Sequence, residues 1–322
     1  MEARAETLVV EGDARAAGAS PSAARIWTAL AIVYVVWGST YLAIRIAIET
    51  LPPFLMAATR FLVAGAVLYP WASARGDRAG DRPGLAQWRA AAIVGAALFL
   101  GGNGGVVWAE TRIPSGVAAL LVATLSLWMA LLAWLFHGER PGRLALVGLP
   151  LGFAGTALLV TPARSGGIDP VGAVVCLLAS LSWAAGSLYA RRAPLPQRAA
   201  LATAMQMIMG GLWMLLAGIV RGELAAVRPA AFSAASLLAL AYLVVMGSLV
   251  AFSAYAWLLR VAPVSLVATY AYVNPVVAVA LGWLLADEPV TPRMLLAGAV
   301  IVVAVALIAR AHRPRVAGVR GR

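Results

Sequence analysis

The sequence predicts an all-α membrane protein of ten transmembrane helices, built as two inverted five-helix repeats. Of its 322 residues, 62% are hydrophobic and only 12% are charged, and the mean hydropathy is +0.89. A soluble chain of this length needs far more charge to cover its surface. One helical crossing of a bilayer takes about 20 apolar residues, and the chain has enough long apolar runs for ten such crossings.

The ten predicted spans are joined by short connections that proline or glycine marks. None of these connections could hold a folded soluble domain. The first repeat is predicted at 26–161 and the second at 169–310, flanked by a polar, disordered cytoplasmic tail at 1–24 and a basic cytoplasmic tail at 311–322. The predicted spans are 26–46, 53–72, 88–109, 113–136, 143–161, 169–190, 199–220, 234–257, 263–285 and 293–310.

The net charge of +12 comes from arginine alone, because the chain contains no lysine. These arginines lie between apolar runs and form no continuous basic stripe, which argues against nucleic acid as a partner. The segments on the amino-terminal side of the membrane hold eighteen of the 25 basic residues. The opposite segments hold six, and one lies within a span. This bias predicts that both termini are cytoplasmic, as in a multi-pass protein of a bacterial inner membrane.

The two halves of the chain are similar to each other at a shift of 149 residues. Each half contains five spans, so equivalent spans must cross the membrane in opposite directions. Inverted repeats of this kind are typical of secondary transporters, whose substrate site lies near the midplane. The pairs that match at this shift are Trp108 with Trp257, Pro114 with Pro263, Trp134 with Trp283, and Glu139 with Glu288.

Several short motifs together resemble the EamA-type permeases of the drug/metabolite transporter superfamily. The resemblance covers residues 26–310 and implies ten helices, alternating access, and export of amino acids, metabolites or toxic compounds. One departure is Ser126, which stands opposite Pro275 in the repeat, where the family commonly has proline. The motifs are Trp37–Tyr41 with Arg45, Pro53 and Arg60, then Ile113–Leu120, then Ala262–Pro263, Tyr272–Pro275 and Asp287–Pro289.

Arg60 lies seven residues into the second predicted span, about 10 Å below its start at 1.5 Å per residue. A cation at that depth must be paired or hydrated. It could therefore face a cavity and attract a substrate carboxylate or anchor a gate. It could equally reach towards the outer face and pair with Glu49 or Glu110.

Polar and aromatic side chains within the spans supply the other candidate substrate-binding residues. Aromatic faces with a few hydroxyl and amide groups suit amphipathic solutes, although such side chains also bond between helices and gather at membrane interfaces. The candidates with polar neighbours at helical spacing are Trp37, Tyr41, Asn103, Tyr270 and Asn274.

These features predict a secondary transporter that exports small metabolites, such as amino acids, or drugs by alternating access. No catalytic residue, metal site or cofactor is predicted, and Cys176 is expected to be a buried packing residue. The predicted partners are a small-molecule substrate and the lipid bilayer, and a homodimer stays open. Two other classes also stay open, an intramembrane enzyme and a non-transporting membrane scaffold.

Overall fold

The computed structural model describes residues 22–74, 83–138, 141–160 and 168–311. The predicted tails, 1–24 and 311–322, fall almost entirely outside these residues. Throughout the described ranges the regular structure is helical. Long helices follow one another in an antiparallel bundle, and large apolar side chains such as Phe136, Val220 and Leu238 are exposed on its outside. Exposed apolar surface of this kind suits contact with lipid.

Nine helices in the described residues are long and apolar enough to cross a membrane. One further apolar helix, Tyr270–Ala286, has 17 residues. In chain order the helices are α1 (Ala23–Ala47), α2 (Pro53–Ala74), α3 (Leu85–Ala109), α4 (Ser115–Phe136), α5 (Arg143–Val160), α6 (Pro170–Ala190), α7 (Ala199–Val220), α8 (Ala234–Leu259), α9 (Tyr270–Ala286) and α10 (Pro292–Arg310).

The structure divides the span predicted at 263–285. A four-residue helix, Val264–Val267, is separated from α9 by a turn at residues 268–269. The helix α4 has a similar turn at residues 123–124, between Val122 and Leu125. Pro275 lies inside α9 without ending it, so these interruptions do not depend on the proline that α4 lacks.

Several helices begin at residues whose side chains bind the first free backbone N–H groups, as the sequence favours. Asp169 accepts the N–H of Gly172 at 2.7 Å, and Pro170 follows it in the first turn. This hydrogen bond, together with the nearby Arg112 guanidinium, holds the pKa of Asp169 below its usual value. Ser233 accepts the N–H of Ser236 at 3.0 Å at the start of α8.

Structural features recur between the halves at the shift seen in the sequence. Both α3 and α8 contain a π-helical stretch, at Ala96–Gly104 and Leu243–Val250. Gly138 and Asp287, which are 149 residues apart, both end a helix with positive φ, at 67° and 51°. Conformations as rare as these indicate a shared local fold.

The helix packing also repeats between the halves. Among the most extensive contacts are α2 with α7 and α5 with α10, which pair equivalent helices. In addition, α9 packs on α1 as α4 packs on α6. Glycines allow close approach in these contacts: Gly152 of α5 lies against Leu127 and Ala304. Cys176 is fully buried, as predicted, with its sulfur 3.6 Å from the carbonyl oxygen of Ala118.

We predict that Gly95→Ala lowers the melting temperature of the purified protein. A Cβ atom at this position of α3 would lie 2.8 Å from the backbone nitrogen of Gly210 and 3.0 Å from the carbonyl oxygen of Gln206. Backbone atoms cannot move aside as a flexible side chain can, so the expected cost is about 1–3 kcal/mol. Gly84→Ala is the matched control, because its Cβ would meet only Gln87 Oε1 at 3.4 Å. Equal melting temperatures for the two variants would contradict this account of the α3–α7 contact.

Candidate functional site

A cavity of about 640 Å³ lies between helices of both halves. Its volume falls within the range of small-molecule sites. It is lined by α1, α4, α6, α8, α9 and α10, and it extends to Arg191 after α6 and to Ala309 near the end of α10. Alanine, valine, leucine and other apolar side chains form most of its wall. The polar lining residues are Tyr41, Ser126, Arg191, Tyr255, Tyr270 and Asn274.

An aromatic cluster supports one wall of this cavity. The ring of Trp37 lies 5.1 Å from each of the rings of Phe252, Tyr255 and Tyr270, measured between centroids. Tyr255 and Tyr270 face each other edge-on at 5.7 Å. Edge-to-face contacts of this kind stabilise a fixed arrangement of rings. Two of these rings line the cavity, and Trp37 packs behind them.

The structure brings three of the six predicted binding residues, Tyr41, Tyr270 and Asn274, into the cavity wall. The hydroxyl of Tyr41 makes no hydrogen bond in the described part of the chain. With its amide nitrogen turned towards them, Asn274 donates to the carbonyl oxygens of Tyr270 and Tyr34, each at 3.2 Å. The wall therefore offers a solute the hydroxyl group of Tyr41 and a fixed amide.

The other three predicted residues, Trp37, Arg60 and Asn103, bind polar groups of the π-helical stretches. Trp37 Nε1 donates to the carbonyl oxygen of Gly247 at 3.2 Å. Arg60 is 5% exposed, and its Nε donates to Ser248 Oγ at 2.9 Å. Asn103 Nδ2 donates to the carbonyl oxygen of Leu98, five residues earlier, at 3.2 Å. None of the three lines the cavity.

At the opposite end of the bundle, two carboxylates bind helix amino termini. Glu288 accepts the N–H groups of Ser115 and Gly116 at 2.7 and 3.0 Å, where α4 begins. Glu223 accepts those of Phe54 and Leu55 at 3.3 and 3.0 Å, where α2 begins. Anions stabilise helix amino termini, where free N–H groups and the helix dipole converge. We call this the capped end, and the end with Arg191 and Ala309 the cavity end.

Sequence reasoning missed the role of the two capping carboxylates. Glu288 was noted as a partner of Glu139 in the repeat, and Glu223 had no assigned role. Only the three-dimensional fold brings each of them to a helix that is distant along the chain. Arg191 lies in a connection between two predicted spans, and the fold places it in the cavity wall. The sequence around Arg191, a connection that contains prolines, does not indicate that this side chain lies in a cavity wall.

An apolar helical bundle with an internal cavity that reaches one end defines a class, the multi-pass membrane transporters. Comparison with known proteins gives the family. Residues 25–161 and residues 170–310 each match the EamA-like transporter family, and the chain belongs to that family. The resemblance noted in the sequence is confirmed.

Named relatives agree with this assignment. The chain is 40% identical over 284 residues to the uncharacterized inner membrane transporter YedA of Escherichia coli (strain K12), covering 88% of this chain and 90% of YedA. It is 29% identical over 137 residues to a probable terminal-alkyne amino-acid exporter of Streptantibioticus cattleyicolor, covering 42% and 44% of the two chains. A solved crystal structure shares the fold, with a TM-score of 0.60 and 20% identity over 91% of this chain and all of that one. The protein is a multi-pass inner-membrane transporter.

We predict that Glu288→Gln lowers the melting temperature, because glutamine has one acceptor oxygen where the carboxylate has two. Loss of one charge-assisted hydrogen bond and of the charge at the start of α4 should cost about 1–2 kcal/mol. Asp287→Asn is the matched control. It neutralises the neighbouring, exposed acid at a positive φ that asparagine also tolerates. The capping role of Glu288 is wrong if both variants melt at the wild-type temperature.

Proposed function

We propose that this protein is a secondary transporter that exports amphipathic solutes, amino acids or related compounds, by alternating access. The observation that carries the proposal is the cavity, which reaches one end of the bundle while carboxylates bind helix amino termini at the other. A transporter must expose its site to one side at a time. This arrangement fits the state that is open at the cavity end.

The proposed topology has ten crossings with both termini in the cytoplasm, arranged as inverted repeats at 26–161 and 169–310. The ninth crossing in chain order consists of Val264–Val267 and α9 together. It runs from the cavity end to the capped end. Interrupted helices are tolerated in membranes where they line a cavity, and this segment does so through Ala268 and Tyr270. The repeated π-helical stretches and helix pairings support the duplication.

The arginine bias assigns the cavity end to the cytoplasm. Arg191 lies there, as do Arg192 and Arg198 in the same connection. The capped end, which then faces outwards, holds the acidic residues Glu223 and Glu288. A cavity that opens to the cytoplasm can load a solute made inside the cell, which suits export.

The chemistry of the cavity supports an amphipathic solute with a carboxylate. Its apolar wall can bury an aliphatic or aromatic side chain, while Tyr41, Tyr270 and Asn274 can bind polar groups. Arg191 at the cytoplasmic end can attract a carboxylate. The relative named as a probable amino-acid exporter agrees with this chemistry. Relatives named as transporters favour this function over an intramembrane enzyme or a scaffold.

We expect epitope tags at the two termini to be accessible from the cytoplasm only. The measurement is protease digestion of the tags in right-side-out and inverted membrane vesicles. One protein with a cytoplasmic loop and one periplasmic protein serve as orientation markers. Ten crossings require both tags to behave alike. Tags in opposite compartments would show an odd number of crossings and overturn the inverted-repeat topology.

Sealed liposomes containing the purified protein should equilibrate labelled L-phenylalanine or L-leucine faster than protein-free liposomes. We predict that Tyr41→Phe raises the half-saturation concentration about fivefold, because one hydrogen bond contributes ~1 kcal/mol. Its hydroxyl has no protein partner in the described residues, so the melting temperature should not change. Tyr242→Phe is the matched control, since its hydroxyl binds Ser39 at 2.6 Å outside the cavity.

Equal half-saturation concentrations for Tyr41→Phe and the wild type would remove Tyr41 from the site. If no amino acid tested is transported but a cationic dye such as ethidium is, the proposed substrate class is wrong and the transport function stands. Product formation from a solute without its flux would favour an enzyme.

A further inference from the structure

A buried carboxyl group without any hydrogen bond lies at the capped end. Glu110 follows the last residue of α3 and is 0% exposed. Neither of its carboxyl oxygens has a hydrogen-bond partner within the described residues. Buried polar groups nearly always have partners, so the packing of the bundle does not explain why an acid lies here.

The charged and titratable groups that face Glu110 come from three helices and one connection. Arg45 Nη1 donates to the backbone carbonyl oxygen of Glu110 at 3.0 Å, and Arg60 Nε donates to Ser248. The Glu288 carboxylate binds the start of α4. No hydrogen bond therefore joins any of these groups to the Glu110 carboxyl. The groups that act on it electrostatically are Arg45 and Tyr41 from α1, Arg60 from α2, Cys176 from α6, and Glu288 after α9.

An ionised carboxylate in this position is unfavourable for two reasons. It has lost its water and gained no hydrogen bond. It also lies near the negative charge of Glu288. Binding of a proton removes the repulsion from Glu288 and lowers the cost of burial, because a neutral acid gives up less hydration than a carboxylate; Arg45 and Arg60 act in the opposite direction and have the smaller effect. The capped end described here is therefore compatible with a protonated Glu110.

We propose that Glu110 is the proton-binding residue that couples solute export to proton entry. The proposal rests on the transport function above and adds the driving force. When the capped end opens, the carboxylate meets outside water and takes up one proton to become the neutral acid. When that end closes, the proton is trapped beside the cavity wall.

Tyr41 connects this group to the solute. It lines the cavity and also faces Glu110. In the state open at the cavity end, Glu110 keeps its proton until the solute binds beside Tyr41; solute binding then releases the proton past Tyr41 into the cavity water, and Glu110 returns to a carboxylate. One proton enters and the solute leaves in one cycle, with no other reactant. The proton binds from the outside and the solute binds from the cytoplasm, so the two ligands favour opposite states of the bundle and their binding is coupled.

The test uses purified full-length protein in liposomes with a trapped pH-sensitive dye and L-phenylalanine as the probe. An outward or inward gradient of the probe should drive proton movement in the opposite direction in the wild type. Glu110→Gln imitates the protonated acid permanently. It should lower probe-driven proton movement by at least about tenfold, while downhill probe flux stays within about twofold. Glu49→Gln, at an exposed carboxylate of the same end, should leave both rates unchanged.

A second measurement does not depend on the substrate. Infrared difference spectra of wild type minus Glu110→Gln at neutral pH should show the carbonyl band of one protonated carboxylic acid. If Glu110→Gln does not fold, Glu110→Asp replaces it, and the band should shift while proton movement is retained.

The possible outcomes separate the two proposals. Probe flux without proton movement in the wild type overturns proton coupling and leaves the transport function intact. Proton movement that survives in Glu110→Gln overturns the assignment to Glu110, as does the absence of the acid band. If L-phenylalanine is not moved at all, the substrate class proposed above fails, and the infrared band still decides whether Glu110 binds a proton.

Discussion

The bilayer interior offers the protein backbone no water, so every irregular turn within a span needs a protein group to bind its free carbonyl oxygens. Each interruption described here has one. At the turn in α4, Thr124 and Ser180 both donate to the carbonyl oxygen of Leu121. At the turn before α9, Thr269 donates to the carbonyl oxygen of Leu266. The π-helical stretches are bound by Asn103 and Ser248 in the same way, each reaching a carbonyl oxygen five residues back. Irregular backbone is thus confined to places where side chains can satisfy it.

This constraint explains how far the sequence could predict the site. A polar residue within a span binds either a solute or an interrupted backbone, and both uses require the same residue types. Tyr41 and Arg60 have equal claims in the sequence, yet one lines the cavity and the other binds Ser248. Neither of the two expected roles of Arg60 anticipated a partner on α8, because that contact joins residues 188 positions apart. The hydroxyl of Ser248 carries no signal that distinguishes it from any other serine in a span.

The fold itself was largely predictable, because each membrane span is a long run of apolar residues that can be recognised in the sequence. Nine of the ten predicted spans are helices of sufficient length, and the bounds agree within a few residues. The division of the segment at 263–285 was not predicted. The segment has no charged residue and only scattered polar ones, so the hydropathy does not indicate that the first helix stops at Val267. Pro275 is a residue type that can interrupt a helix. However, the turn lies before this proline, and α9 continues through it.

The two ends of the bundle are linked through α4 and α9, which meet at the capped end and line the cavity at the other. Near the cap they touch closely: an added Cβ at Gly116 would lie 3.1 Å from the Cα of Val279. Ser115 and Gly116 are also held by Glu288, which follows α9. Because α9 continues from Tyr270 to Ala286 without a break, separating it from α4 at the cap would move its other half, where Asn274 faces the cavity. Closely packed contacts favour discrete arrangements over gradual deformation. In the alternating access proposed above, opening at one end and closure at the other would therefore follow when this helix pair changes its contact.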